Sequence, residues 1–339
     1  MQFPILFAAL LITSAQGSPP VVEAENSNPE KPGQTRSDNG VKMILHYCPP
    51  GSFLMGSPAS EPARDAYETQ HKVTLTQGFW MAETEVTQGQ WQQVMNLSLS
   101  AQASKMLADE TLYPFNGKQI TLRESMNASG GEKLVTSVCA ATSPNIPIYF
   151  VSWDDAVDFC LQLTLSEQHA NRLPKGWKYT LPTEAQWEYA CRAGTTTATY
   201  AGPMKILGEN NAPILDKIAW YGGNSSVGYK GAGWQTNQWP NQAHPGKVAG
   251  PRRVGQKQAN AWGLRDMLGN LYEWVSDFST VCGPEDVTDP TGPEKGQNHP
   301  YRGGAWNHYA SMCRSAKSFE APPTYRVHHL GFRIVMVKE

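Results

Sequence analysis

Sulfur and imidazole have the widest chemical reach of the side chains in this 339-residue chain, and their spacing limits what they can do. The six cysteines stand at positions 48, 139, 160, 191, 282 and 313. No two form a CxxC pair, which argues against a zinc ribbon and against a dithiol redox motif, since both place two sulfurs on one short turn. Cys160 and Cys191 fall within apolar helical patterns and are expected to be buried, inert thiols. Cys313, before Arg314, reads as a small buried residue in a strand that supports a binding face. The eight histidines form no three-histidine motif, and the chain has no GxSxG, HExxH or phosphate loop. Toward the carboxyl end, Trp306, His308, Tyr309, His328 and His329 combine aromatic faces with polar tips. Such a set suits a groove that stacks on, and hydrogen-bonds to, a peptide or glycan. Simple packing is the competing reading, and His328-His329 also reads as a solvated turn before Leu330.

The elements that must position these residues are short. With 30 Gly, 25 Pro and 11 Trp, irregular backbone packed on indoles is favoured over long helices. Gly51 to Ser57 reads as a strand and turn, followed by apolar runs at Val73 to Thr76 and Gly78 to Ala82. Thr87 is placed to cap a helix whose Trp91 and Val94 face inward. Ser152 caps a second, carrying Trp153, Ala156, Val157 and Cys160 at helical spacing. Thr183 caps a third, with an acidic first turn and Gly194 at its end. In that helix Glu184 is expected to complete the helix-end electrostatics, Trp187 to pack inward and Arg192 to pair with a carboxylate.

Hydrophobic residues make up 40% of the chain and charged ones 17%, so it can bury one large core or two smaller ones. The formal charge is -2, and none of the 28 Lys and Arg forms a run. Nucleic acid and anionic membrane surfaces, which need clustered cations, are excluded as partners on that ground. Phe3 to Gly17 is an apolar stretch ending in small residues spaced as A-x-G, read as a secretory signal over 1-17. It is shorter than the ~20 residues of a membrane span. Export to a periplasmic, extracellular or cell-surface location follows as an expectation. Residues 18-40, rich in Pro, Glu, Asn, Ser and Gly, read as a disordered linker.

A series of motifs runs through the remainder. Phe53-Leu54-Met55-Gly56 is followed by Glu85-Val86-Thr87 and Trp91. Then come Pro147 to Ala156, Leu181-Pro182-Thr183-Glu184-Ala185-Gln186-Trp187-Glu188, and Gly263 to Trp274. Tyr301-Arg302-Gly303-Gly304-Ala305-Trp306 closes the series, with His308 and Cys313 beyond it. On these motifs the chain resembles the sulfatase-modifying factor family, whose founding members are the formylglycine-generating enzymes. The resemblance implies one domain over 41-339, of α+β class: a variant of the C-type lectin fold with little regular secondary structure. About fifty polar residues, 97-146, are inserted where relatives have a short loop, and surface decoration or disorder is expected there.

The family's two reactive cysteines fall at His308 and Cys313, and Ala305 takes the place of its serine. In a formylglycine-generating enzyme two thiolates bind Cu(I), and a lone sulfur holds that ion far less firmly. The resemblance with this departure implies a non-oxidase accessory or ligand-binding member, with a peptide, a glycan or a sulfatase as partner. The alternative is an oxidase converting a sulfatase Cys or Ser to formylglycine, with Cys313 and His308 as catalytic residues on an altered Cys/His copper site. The resemblance also implies calcium, held by main-chain oxygens of Asp266, Gly269 and Leu271 and the carboxylate of Glu273. A calcium-free turn, in which Glu273 accepts backbone amides, stays open beside it.

Overall fold

Helix starts are set by local chemistry. Thr87, Ser152 and Thr183 each hold extended backbone and accept a hydrogen bond from the amide three residues on, and the side chain at that position accepts one from the cap's own amide. These reciprocal capping boxes satisfy amide groups that a helix N-terminus leaves orphaned. They open the helices Gln88–Met95, Trp153–His169 and Glu184–Arg192. The last ends one residue earlier than expected: Ala193 takes the left-handed conformation at φ 44°, and Gly194 follows at φ 92°.

The computed structural model describes residues 30–128, 135, 139, 142–231, 233–281 and 283–339. The expected signal at 1-17, most of the linker and Cys282 lie outside the described residues. Strands are two to five residues long. One antiparallel sheet runs Thr35–Arg36, Leu45–Cys48, Phe79–Ala82, Val335–Lys338, Trp177–Thr180. Its fourth strand comes from the end of the chain and lies between Phe79–Ala82 and Trp177–Thr180. A second sheet runs Ser318–Ala321, His299–Arg302, Tyr272–Trp274, Leu330–Phe332, and its last pair is parallel. A third sheet joins Val287–Thr288, His71–Leu75 and Gly51–Met55.

Two apolar clusters fill the interior. One centres on Trp91, which stacks on Phe159 at 5.7 Å and meets the edge of Phe332 at 6.1 Å. The other gathers Trp187, Cys191, Leu268, Cys313 and Val335. Aromatic pairs at these separations add to what their burial alone supplies. Cys160 and Cys191 are buried as expected, and burial pushes both thiols upward, Cys191 to about 12.

Three expectations need correction. The part of the expected linker that is described is folded: Thr35 and Arg36 pair with His46 and Leu45, and Asn39 is buried and bonded to Met43 in both directions. Backbone pairing gives this polar stretch the anchor that its composition hides. The insertion is a packed element where described. Helix Leu99–Ala108 sends Leu99, Ala103 and Met106 into the Trp91 cluster, and Tyr113 and Leu122 follow. Its apolar residues recur at helical spacing among Ser, Gln and Lys, a pattern that mean composition hides. Cys313 is not in a strand; it follows a single 3-10 turn, Ala310–Met312.

Candidate functional site

The parallel pair Tyr272–Trp274 and Leu330–Phe332 places the residues before Leu330 beside the segment that follows Arg302. His308, His328 and His329, twenty residues apart in sequence, become neighbours there. The His308 and His329 rings lie 4.6 Å apart, as do those of His328 and His329. Asn307 ties them together: its Oδ1 is 3.0 Å from His308 Nδ1 and its Nδ2 is 3.1 Å from His328 Nε2. Around them Tyr272 meets His308 edge-on at 4.9 Å, and Trp234 stacks on His328 at 4.1 Å. Burial pushes His308 down to about 4 and His328 to about 3, and His329 also falls well below the ordinary range. Mutual repulsion adds to burial for the last two, so all three rings are neutral near pH 7.

His328 is therefore no solvated turn; it is 7% exposed, and its Nδ1 is buried without a partner. Trp306 is fully buried, its Nε1 3.4 Å from the His328 carbonyl, so it backs the cluster from beneath. Tyr309 points outward, 44% exposed. Trp234, Trp239, Tyr301, Phe319 and Tyr325 are half-buried on the same core and complete an aromatic surface. Of these, sequence reasoning missed Asn307, although it adjoins His308, and it missed Tyr272 and Trp234, which only pairing distant in sequence brings to the cluster.

Cys313 belongs to the other apolar cluster. Its side chain is fully buried in the Trp187 cluster, and burial pushes the thiol up to about 12. A Cβ built on Gly304 would stand 2.6 Å from its sulfur, so the sulfur packs directly against bare glycine backbone. His308 makes its recorded contacts with Asn307, Tyr272 and His329, and burial alone accounts for its shift.

The turn expected to hold calcium has an unforeseen centre. Glu273, fully buried, accepts Arg333 Nε and Nη2 at 2.6 Å each and Trp187 Nε1 at 2.7 Å. Charge-assisted, bidentate bonds of this kind are strong and directional. Glu85 and Asp266 share the same guanidinium field, and burial together with the neighbouring carboxylates raises both, Asp266 to about 6. Glu85 Oε2 and Asp266 Oδ1 are buried without a hydrogen-bond partner. Arg192, as expected, pairs with Glu188, which also holds Arg302.

A model of the sulfatase-modifying factor enzyme 1-like domain matches residues 29–338. The chain belongs to this family. The formylglycine-generating enzyme of Mus musculus is 24% identical over 94% of this chain and 82% of its own length. That of Streptomyces coelicolor is 31% identical over 56% of this chain and 52% of its own. Among solved structures, PvdO from Pseudomonas aeruginosa is 23% identical and superimposes with a TM-score of 0.64 over 91% of this chain and 99% of that one. The fold is thus the family's mixed α and β variant of the C-type lectin architecture, poor in regular secondary structure.

Proposed function

We propose that this protein is an exported accessory or ligand-binding member of the sulfatase-modifying factor family that does not perform the oxidase reaction. The burial and protonation of Cys313 carry the reading. Copper ligation needs a thiolate, and a single buried thiol held in its protonated form does not fit Cu(I). The surface of half-buried aromatics around three neutral imidazoles supports peptide or glycan binding, because it offers stacking faces together with uncharged donors and acceptors. Export rests on the apolar opening of the sequence.

Calcium at the Asp266 to Glu273 turn is a second part of the proposal. Three carboxylates face one guanidinium there, and two of their oxygens are unpartnered, an imbalance a hard dication would relieve. Glu273 is the weakest of the expected ligands, since Arg333 and Trp187 already hold its oxygens.

Incubating the Cu(I)-loaded protein with a cysteine-containing sulfatase-motif peptide should leave the peptide's mass unchanged. Conversion that disappears in His308→Ala would establish the oxidase reading instead. On a glycan and peptide array, retention that weakens in Trp234→Ala supports the binding face, and retention at background removes it.

A further inference from the structure

Away from the histidine cluster, two cavities of ≈600 Å³ and ≈300 Å³ share Met55, His71, Glu184 and Thr280 and form lobes of one groove. It is built from the Gly51–Met55 and His71–Leu75 hairpin, the start of the Glu184–Arg192 helix, the chain after Trp274, and the strands His299–Arg302 and Ser318–Ala321. None of Trp306, His308, Tyr309, His328 or His329 lines either lobe. The volume is that of a small-molecule site.

Its charges do not balance. Arg302 is held by Glu184 and Glu188, Lys317 by Asp65, and Glu68 holds Arg314. Asp277, Glu285 and Glu320 also face the groove, and none of them has a cation within ion-pair distance among the described residues. The smaller lobe is lined by Glu184, Asp277 and Glu285 and by no Lys or Arg. Asp277 is only 6% exposed, and the donors it has are neutral: the Glu184 amide at 2.7 Å and the Ser276 hydroxyl at 3.4 Å. Burying a carboxylate without a counter-charge is costly, and the group answers by keeping its proton. Burial, with Glu184 beside it, pushes Asp277 up to about 7.

A cationic ligand would take the proton's place. A bare metal ion is the wrong occupant, because it needs oxygens on several sides and Glu184, Asp277 and Glu285 do not form a group able to hold one. The walls offer Met55, Phe278, Val287 and Pro290, which suit an alkyl chain, and the larger lobe extends them with Tyr67 and Phe319. We propose that this groove binds an aliphatic primary amine, its ammonium against Asp277 and Glu285 and its chain along Met55 and Phe278. The site is independent of the histidine face, so either assignment can fail alone.

Titration calorimetry of the whole protein with n-pentylamine, using n-pentanol as the neutral match, tests this. The amine should bind one to one and the alcohol should not. Asp277→Asn, which keeps an acceptor for the Glu184 amide, should weaken binding by about tenfold or more, and Glu285→Gln at an exposed position by severalfold. A capped glycyl-lysyl-glycine distinguishes the source: binding assigns the groove to a lysine side chain of a partner, and failure beside a binding amine assigns it to a free small molecule. Equal binding of amine and alcohol, no binding of the amine at millimolar concentration, or unchanged affinity in both variants would overturn the proposal.

Discussion

Cys313 and His308 stand five residues apart with a 3-10 turn between them; the thiol packs in the Trp187 cluster and the imidazole against Tyr272 and His329. The sequence shows which residue types are missing from the paired-cysteine pattern, but it does not show where the survivor points, because that depends on a turn with no propensity signal of its own. Two outcomes follow at this scale. A thiol reagent at pH 8 should leave Cys313 unmodified in the folded protein and label it once the protein is unfolded; rapid labelling of the native state would contradict its burial. Gly304 holds φ +81° with Cys313 Sγ where a Cβ contact would fall. Gly304→Ala should therefore cost about 1–3 kcal/mol and lower Tm by several degrees in a thermal melt, with partial recovery when Cys313→Ala makes room.

Helix starts were the most legible elements, because a capping box is a property of four consecutive residues. Thr87, Ser152 and Thr183 all act as read. The inward-facing Trp187 was legible too, whereas its hydrogen bond to Glu273 was not, since the partner lies 86 residues away. The helix Glu184–Arg192 carries its own test. Glu188 is the shared counter-charge of Arg192 and Arg302, all three buried. Glu188→Gln leaves Arg192 without its anion and Arg302 with Glu184 alone, and should destabilise by about 3–5 kcal/mol in denaturant unfolding. At the start of the same helix, Asp277 is raised to about 7, so the folded state holds a proton that the unfolded chain has released across roughly pH 4 to 7. That group makes stability fall as pH rises through this window, by on the order of 4 kcal/mol at most. Wild type minus Asp277→Asn, compared by unfolding at pH 5 and pH 7.5, should show this slope, and parallel pH profiles would contradict it.

Across the whole molecule, the family and its architecture could be read from the motif series, because those motifs are local. What could not be read is built from long-range pairing. The parallel match of Tyr272–Trp274 with Leu330–Phe332 gathers the three histidines, and the pairing of Thr35 with His46 orders a stretch whose composition looks disordered. The acidic surplus at Glu85, Asp266 and Glu273 is likewise assembled from distant segments. A chelator should lower Tm by several degrees in wild type and have no effect in Asp266→Asn; equal melting with and without chelator would remove the calcium assignment. The central claim is that the scaffold is retained while the copper chemistry of the family is not. Competition for Cu(I) against a chromophoric chelator, followed by X-ray absorption, tests it most directly. The predicted result is that the protein withdraws no copper from the chelator. Stoichiometric copper carrying one sulfur and one imidazole nitrogen, and lost in both Cys313→Ala and His308→Ala, would contradict it.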